Sequence, residues 1–126
     1  MIMFLTHHKC GSRALSHYVM SLCKKNNLSL YCSHIGKDKP AGNYDFIYLS
    51  NAQYDYVKYD VYGQVLHFIR NPLSIVPSAY YSHLNTHALD GWPELENQRL
   101  ILTTLSKEEG ILKTAQFCNA EEFYQN

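Results

Sequence analysis

The chain has 126 residues, close to one ordinary domain of about 150 residues and too short for two, so a single core is expected. Eleven Lys plus Arg balance eleven Asp plus Glu, which excludes nucleic-acid binding or a polybasic membrane patch driven by bulk charge. A hydrophobic content of 46% against 17% charged residues, with six Gly and four Pro, excludes disordered, collagen-like and low-complexity chains.

Any basic site must therefore be local. The opening Met1-Ile2-Met3-Phe4-Leu5 is too short for a secretory apolar region and soon meets His7-His8-Lys9. No apolar run approaches the roughly 20 residues of a membrane span. Cys10, Cys23, Cys32 and Cys118 form no CxxC pair, which fits reduced thiols. A soluble, cytoplasmic protein is expected, with no nucleic-acid or membrane partner.

Along the chain, residues 2–6 read as a strand buried on both faces of a parallel sheet, since the run shows no polar alternation. After a polar stretch over residues 7–13, Ala14, Leu15, Tyr18, Val19, Leu22 and Cys23 recur at helical spacing, and Lys24-Lys25-Asn26-Asn27 closes the helix. Residues 28–33 alternate, with Leu28, Leu30 and Cys32 as the apolar face of a second strand. Residues 46–49 and 65–69 are two further apolar runs of strand length.

Asn71-Pro72 is a helix start, because Asn caps free amides and Pro suits the first helical position. Ile75, Val76, Ala79, Tyr80, His83 and Leu84 form one face of that helix, and Pro77 is expected to kink or delay its first turns. Gly91-Trp92-Pro93 marks a turn, residues 95–105 read as another helix, and Ser106-Lys107-Glu108-Glu109 fits a capping box. Strands alternating with helices imply an α/β sheet, whose ligands sit at the carboxyl ends of the strands. The two unusual polar segments, 7–13 and 70–78, both lie at such ends.

In Thr6-His7-His8-Lys9-Cys10-Gly11-Ser12-Arg13, backbone N–H groups at a helix start form an anion cradle, Gly11 allows close approach, and Lys9, Ser12 and Arg13 add donors. The spacing is not that of a Walker A loop. A polar strand-to-helix turn with a solvated lysine fits the same residues. In the second segment, Arg70 leaves a buried-type strand one step before a helix, and Ser78 lies eight residues on. Arg70 there suits bidentate phosphate binding, and equally an ion pair at a sheet edge. His67, inside an apolar strand, reads as a core residue. His7-His8-x-Cys10 raises a zinc reading, against which adjacent histidines on an extended segment point opposite ways. Tyr54, Tyr56, Tyr59 and Tyr62 suit either an acceptor site or a half-buried sheet end.

Together the two segments resemble the PAPS-dependent sulfotransferase family. Lys9-Cys10-Gly11-Ser12-Arg13-Ala14-Leu15 is similar to its 5'-phosphosulfate loop, K-x-G-[ST]-[TR]-x-L, within residues 7–15. Arg70-Asn71-Pro72 with Ser78-Ala79-Tyr80-Tyr81-Ser82-His83 is similar to its 3'-phosphate motif, R-[ND]-P-x(5)-S-x-Y, within residues 70–83. The resemblance spans roughly residues 3–84. It implies a P-loop-like α/β fold, a parallel sheet flanked by helices in one sulfotransferase-type domain over 1–126.

The implied donor is 3'-phosphoadenosine 5'-phosphosulfate, and the implied reaction moves its sulfuryl group to a hydroxyl or amine of a small-molecule or carbohydrate acceptor, without a metal. Lys9 would meet charge developing on the bridging oxygen, Cys10, Gly11, Ser12 and Arg13 would hold the 5'-phosphate, and Arg70 and Ser78 the 3'-phosphate. The family uses a histidine or glutamate as base, for which His34, at the end of the second strand, is the candidate and His8 the alternative. The family's closing G-x-x-G-x-[WK] loop has no counterpart after Leu84, so the chain reads as truncated or minimal. That keeps two alternatives open: a non-catalytic PAPS- or anion-binding module, and a nucleotide-dependent phosphotransferase.

Overall fold

The computed structural model describes residues 1–37, 40–53, 63–90 and 92–119. The chain divides into two compact units, Met1–Arg70 and Asn71–Asn126. The first is α/β. Its strands β1 (Ile2–Leu5), β2 (Leu30–Ser33), β3 (Phe46–Leu49) and β4 (Gln64–His67) form one parallel sheet in the order β2-β3-β1-β4. Helix α1 (Ser12–Asn26) follows β1.

The unbroken apolar runs of β1 and β3 are explained by burial on both faces. Phe4, Phe46 and Tyr48 point to one side, where Val19 and Cys23 of α1 complete a core. Those two helical positions are four apart and so share a face. Phe4 and Phe46 stack with ring centroids 5.6 Å apart. Met3, Ile47, Leu49 and Ala52 form a second cluster, and the alternation along each strand separates the two. At its far end α1 stops at Asn27, in the left-handed region at φ 54°, whose N–H bonds back to the Cys23 carbonyl.

The other two strands correct the sequence reading. On β2, Cys32 is exposed, whereas Tyr31, expected to face outward, packs on the Met3 cluster beside Tyr44. All four residues of β4 are exposed. Its only described neighbour is β1, so an apolar sequence here does not mean a buried strand, and His67 is not a core residue.

The second unit is helical among its described residues: α2 (Pro72–Tyr81), a π-helical turn (Ser82–Thr86), α3 (Pro93–Thr103) and α4 (Lys107–Asn119). The Asn71 side chain accepts the Leu73 N–H at 3.0 Å, as the Asn-Pro start requires. The expected delay at Pro77 does not occur. The helix begins at Pro72 and runs through Pro77, and its irregularity lies at the other end, over residues 82–86. Pro77 withholds a hydrogen bond from the Leu73 carbonyl only, in the first turn, where Leu73 is exposed. The capping box forms: Glu109 accepts the Ser106 N–H at 3.0 Å, and Ser106 accepts the Glu109 N–H at 3.4 Å. Arg99 of α3 donates to the carbonyls of His83 and His87 at 2.7 and 2.8 Å and so closes the π turn.

Candidate functional site

The topology selects one end of the sheet. The chain leaves β1 toward β2 on one side and leaves β3 toward β4 on the other. Strands whose connections diverge open a crevice at their carboxyl ends, where ligands of α/β sheets bind. Thr6 to Arg13, His34, Ser50-Asn51 and His67 to Arg70 all follow strand ends at this edge.

The β1–α1 loop is fixed from below. Thr6 is fully buried, and its hydroxyl donates to the carbonyls of Ser50 at 2.8 Å and Leu49 at 3.2 Å, locking the ends of β1 and β3 together. Asn51, also buried, accepts the His8 N–H at 3.0 Å. The Cys10 N–H closes on the His7 carbonyl at 3.0 Å. Lys9 and Gly11 are both left-handed, at φ 60° and 82°. For a lysine that is an uncommon conformation, and it turns the loop sharply before the helix. Gly11 caps α1 without a side chain, and no acidic residue stands in the first turn. The amino end of this 15-residue helix, with its partial positive charge, is left to the loop.

Two cross-links join this loop to the exit of β4. The Arg70 guanidinium donates from Nη1 to the Lys9 carbonyl at 3.1 Å, across 61 positions of sequence. The His7 and His67 rings meet with their Nε2 atoms 2.6 Å apart. Below them the Phe68 N–H donates to the Leu5 carbonyl at 2.8 Å, continuing the β1–β4 ladder.

The electrostatics follow from that closeness. Burial lowers the pKa of Lys9, and the nearby Arg70 cation lowers it further. Burial also lowers that of His7, as does His67, while a hydrogen bond with the Ala52 backbone acts the other way. Two cations thus meet at this loop, the ammonium of Lys9 and the guanidinium of Arg70. Among the described residues, no group of three or more His, Cys, Asp or Glu side chains is arranged to hold a metal, and no helix is long and apolar enough to cross a membrane.

Of the residues singled out in the sequence, Lys9, Cys10, Gly11, Ser12 and Arg13 form the loop and first helical turn, and Arg70 joins Lys9. His34 follows β2 directly, and its Nδ1 lies 2.9 Å from the Ser50 hydroxyl; burial lowers its pKa. Ser78 lies half-buried on α2 of the second unit. The tyrosines Tyr54, Tyr56, Tyr59 and Tyr62 lie outside the described residues. The residues that sequence reasoning missed are Asn51, which looked like ordinary loop, and the pair His7 and His67. No sequence signal placed His67 beside His7, since that depends on the order of strands in the sheet.

No protein-family description, curated protein or solved structure matches this chain.

Proposed function

We propose that the protein is a sulfotransferase that moves a sulfuryl group from 3'-phosphoadenosine 5'-phosphosulfate to an acceptor hydroxyl or amine. The observation that carries the reading is the junction of Lys9 and Arg70. Lys9 belongs to one motif resembling that family and Arg70 opens the other, and the Arg70–Lys9 hydrogen bond joins these two residues at one sheet edge. Lys9 and the uncapped start of α1 suit the phosphosulfate end of the donor. Arg70 suits its 3'-phosphate as a bidentate ligand. The strand order, with diverging connections at β1 and β3, supports the P-loop-like form of the α/β fold.

Transfer of this kind resembles phosphoryl transfer, in which positioning and charge stabilisation do most of the catalysis. A lysine whose ammonium is destabilised by burial and by a neighbouring arginine gains more from developing negative charge than a solvated one does.

The test is calorimetric titration of the full chain with 3'-phosphoadenosine 5'-phosphate, beside AMP, ADP and ATP with and without magnesium. Preference for the 3',5'-bisphosphate without magnesium is expected. Absence of binding, or a magnesium-dependent preference for ATP, overturns the proposal. Lys9→Ala then distinguishes an enzyme from a binding module: it abolishes transfer in the first and only weakens affinity in the second.

A further inference from the structure

The chain makes a β-turn over His7-His8-Lys9-Cys10, closed by the Cys10 N–H on the His7 carbonyl at 3.0 Å. Its third residue, Lys9, has φ 60°, while His8 has no positive φ. That is the pattern of a type II turn, whose third position favours glycine because a side chain there crowds the backbone. Here the position holds the lysine whose carbonyl meets Arg70. A residue stays in such a conformation only where its surroundings impose it.

Two contacts impose it, one on each end of the turn. On the leaving side, Arg70 Nη1 donates to the Lys9 carbonyl at 3.1 Å. On the entering side, the His8 N–H donates to Asn51 Oδ1 at 3.0 Å. Asn51 is the firmer anchor, because it is buried, whereas Arg70 is exposed. Its backbone is also fixed. The Asn51 N–H donates to the His34 carbonyl beyond β2 at 2.7 Å, and the Ala52 N–H to the Thr6 carbonyl beyond β1 at 2.8 Å. Residues 51–52, just past β3, thus tie together the ends of three strands and present one side-chain acceptor to the turn that carries Lys9. An asparagine does so without adding charge beside the cations Lys9 and Arg70, whereas an aspartate would offset part of their field.

We infer that Asn51 is the positioning residue of Lys9: by holding the His8 N–H, its side-chain carbonyl keeps Lys9 left-handed and its ammonium where the phosphosulfate end of the donor is met. The identity of that anion rests on the sulfotransferase reading; the hold on Lys9 does not. Without the acceptor, the turn relaxes toward negative φ at Lys9 and the ammonium leaves the junction.

The first readout is NMR of the full chain. Wild-type Lys9 is expected to give the strong intraresidue HN–Hα cross-peak of a left-handed residue, and its ammonium to titrate below the ordinary lysine range through burial and the nearby Arg70 cation. Asn51→Leu, which removes the acceptor at similar volume, weakens the cross-peak and moves the titration up toward the ordinary range. Asn51→Asp keeps an acceptor and so keeps the cross-peak, a rescue that separates the hydrogen bond from general packing. The second readout is calorimetric affinity for 3'-phosphoadenosine 5'-phosphate. Asn51→Leu lowers it by about five- to tenfold, the scale of one hydrogen bond. In a Lys9→Ala background the same change costs less than about twofold, because a residue acting through Lys9 has nothing left to act on. Asn51→Ser, too short to reach His8, replaces the leucine variant if that chain does not fold.

A left-handed Lys9 in folded Asn51→Leu or Asn51→Ser, loss of the cross-peak in Asn51→Asp, or an equal loss of affinity with and without Lys9 overturns the role of Asn51 while bisphosphate binding by the wild type stands. A wild type that binds no bisphosphate overturns the sulfotransferase reading, and with it the anion assigned to Lys9; the NMR readout then decides the hold on Lys9 by itself.

Discussion

Strands β3 and β4 are each four residues long and each pair in parallel with β1, yet every residue of β3 is buried and every residue of β4 is exposed. The difference lies in their positions. β3 is bracketed by β1 and β2 and has a core cluster on either face; β4 has one described neighbour. The ends of the two strands diverge in the same way. After β3 come the Ser50 carbonyl and Asn51, which hold the β1 loop by hydrogen bonds. After β4 come Phe68 and then Arg70, with His67 as its last residue, and these bring ionisable groups to that loop. A site needs both, a rigid support and accessible chemistry, and here adjacent parts of one sheet supply them separately.

The contrast is broken most strongly by truncating each strand. Leu49 is fully buried, so Leu49→Ala is expected to cost about 2–5 kcal/mol in urea unfolding, a range set by how far the cavity collapses. Leu66, 46% exposed, should cost under about 1 kcal/mol on the same change. Equal losses would mean that β4 is packed as β3 is.

Next in size is the charge pair. Lys9→Ala and Arg70→Ala are each expected to lower 3',5'-bisphosphate affinity by about 10- to 100-fold, as deletion of a charged hydrogen-bond partner does, with little loss of melting temperature in the free protein. Arg70→Lys, which keeps the charge but loses the planar fork, should recover only part of the affinity. Full recovery would show that Arg70 acts by charge alone.

Thr6→Val tests the support. It removes the hydroxyl that bridges the Leu49 and Ser50 carbonyls and leaves the buried surroundings with less hydrogen bonding. A loss of about 1–3 kcal/mol is expected, read from chemical denaturation.

The smallest effect is that of pH on stability. His7 and His34 both have lowered pKa values in the folded protein, each chiefly through burial. The folded state then binds fewer protons than the unfolded chain as the histidines titrate. Their contribution is fully present above the unfolded value of about 6.5 and is lost as pH falls through the folded values. Denaturation midpoints should be flat above about pH 7 and should decline toward pH 5. His7→Gln and His34→Gln each flatten part of that decline. A midpoint that rises on acidification would contradict the sign.

Much of the local structure was legible in the residues. The apolar runs at 2–6 and 46–49 became β1 and β3, Asn71 capped α2, and Ser106 with Glu109 formed a capping box, because each signal acts over a few bonds and needs no distant partner. The loop of Lys9 and Gly11 was also visible as a turn between a strand and a helix. The exposure of β4, and of His67 on it, is not legible in its residues, because apolar residues show only what a strand could bury.

By itself, then, the sequence determined the order of strands and helices, the caps, and the two polar segments that follow strands. The tertiary structure decided which strands are neighbours. Only the placement of β1 between β3 and β4 puts Lys9 beside Arg70 and His7 beside His67, across about 60 positions in each case. Spacing along the chain records periodicity over a few residues, whereas contacts between strand ends depend on sheet order, which hydrogen bonds between backbones far apart in sequence establish.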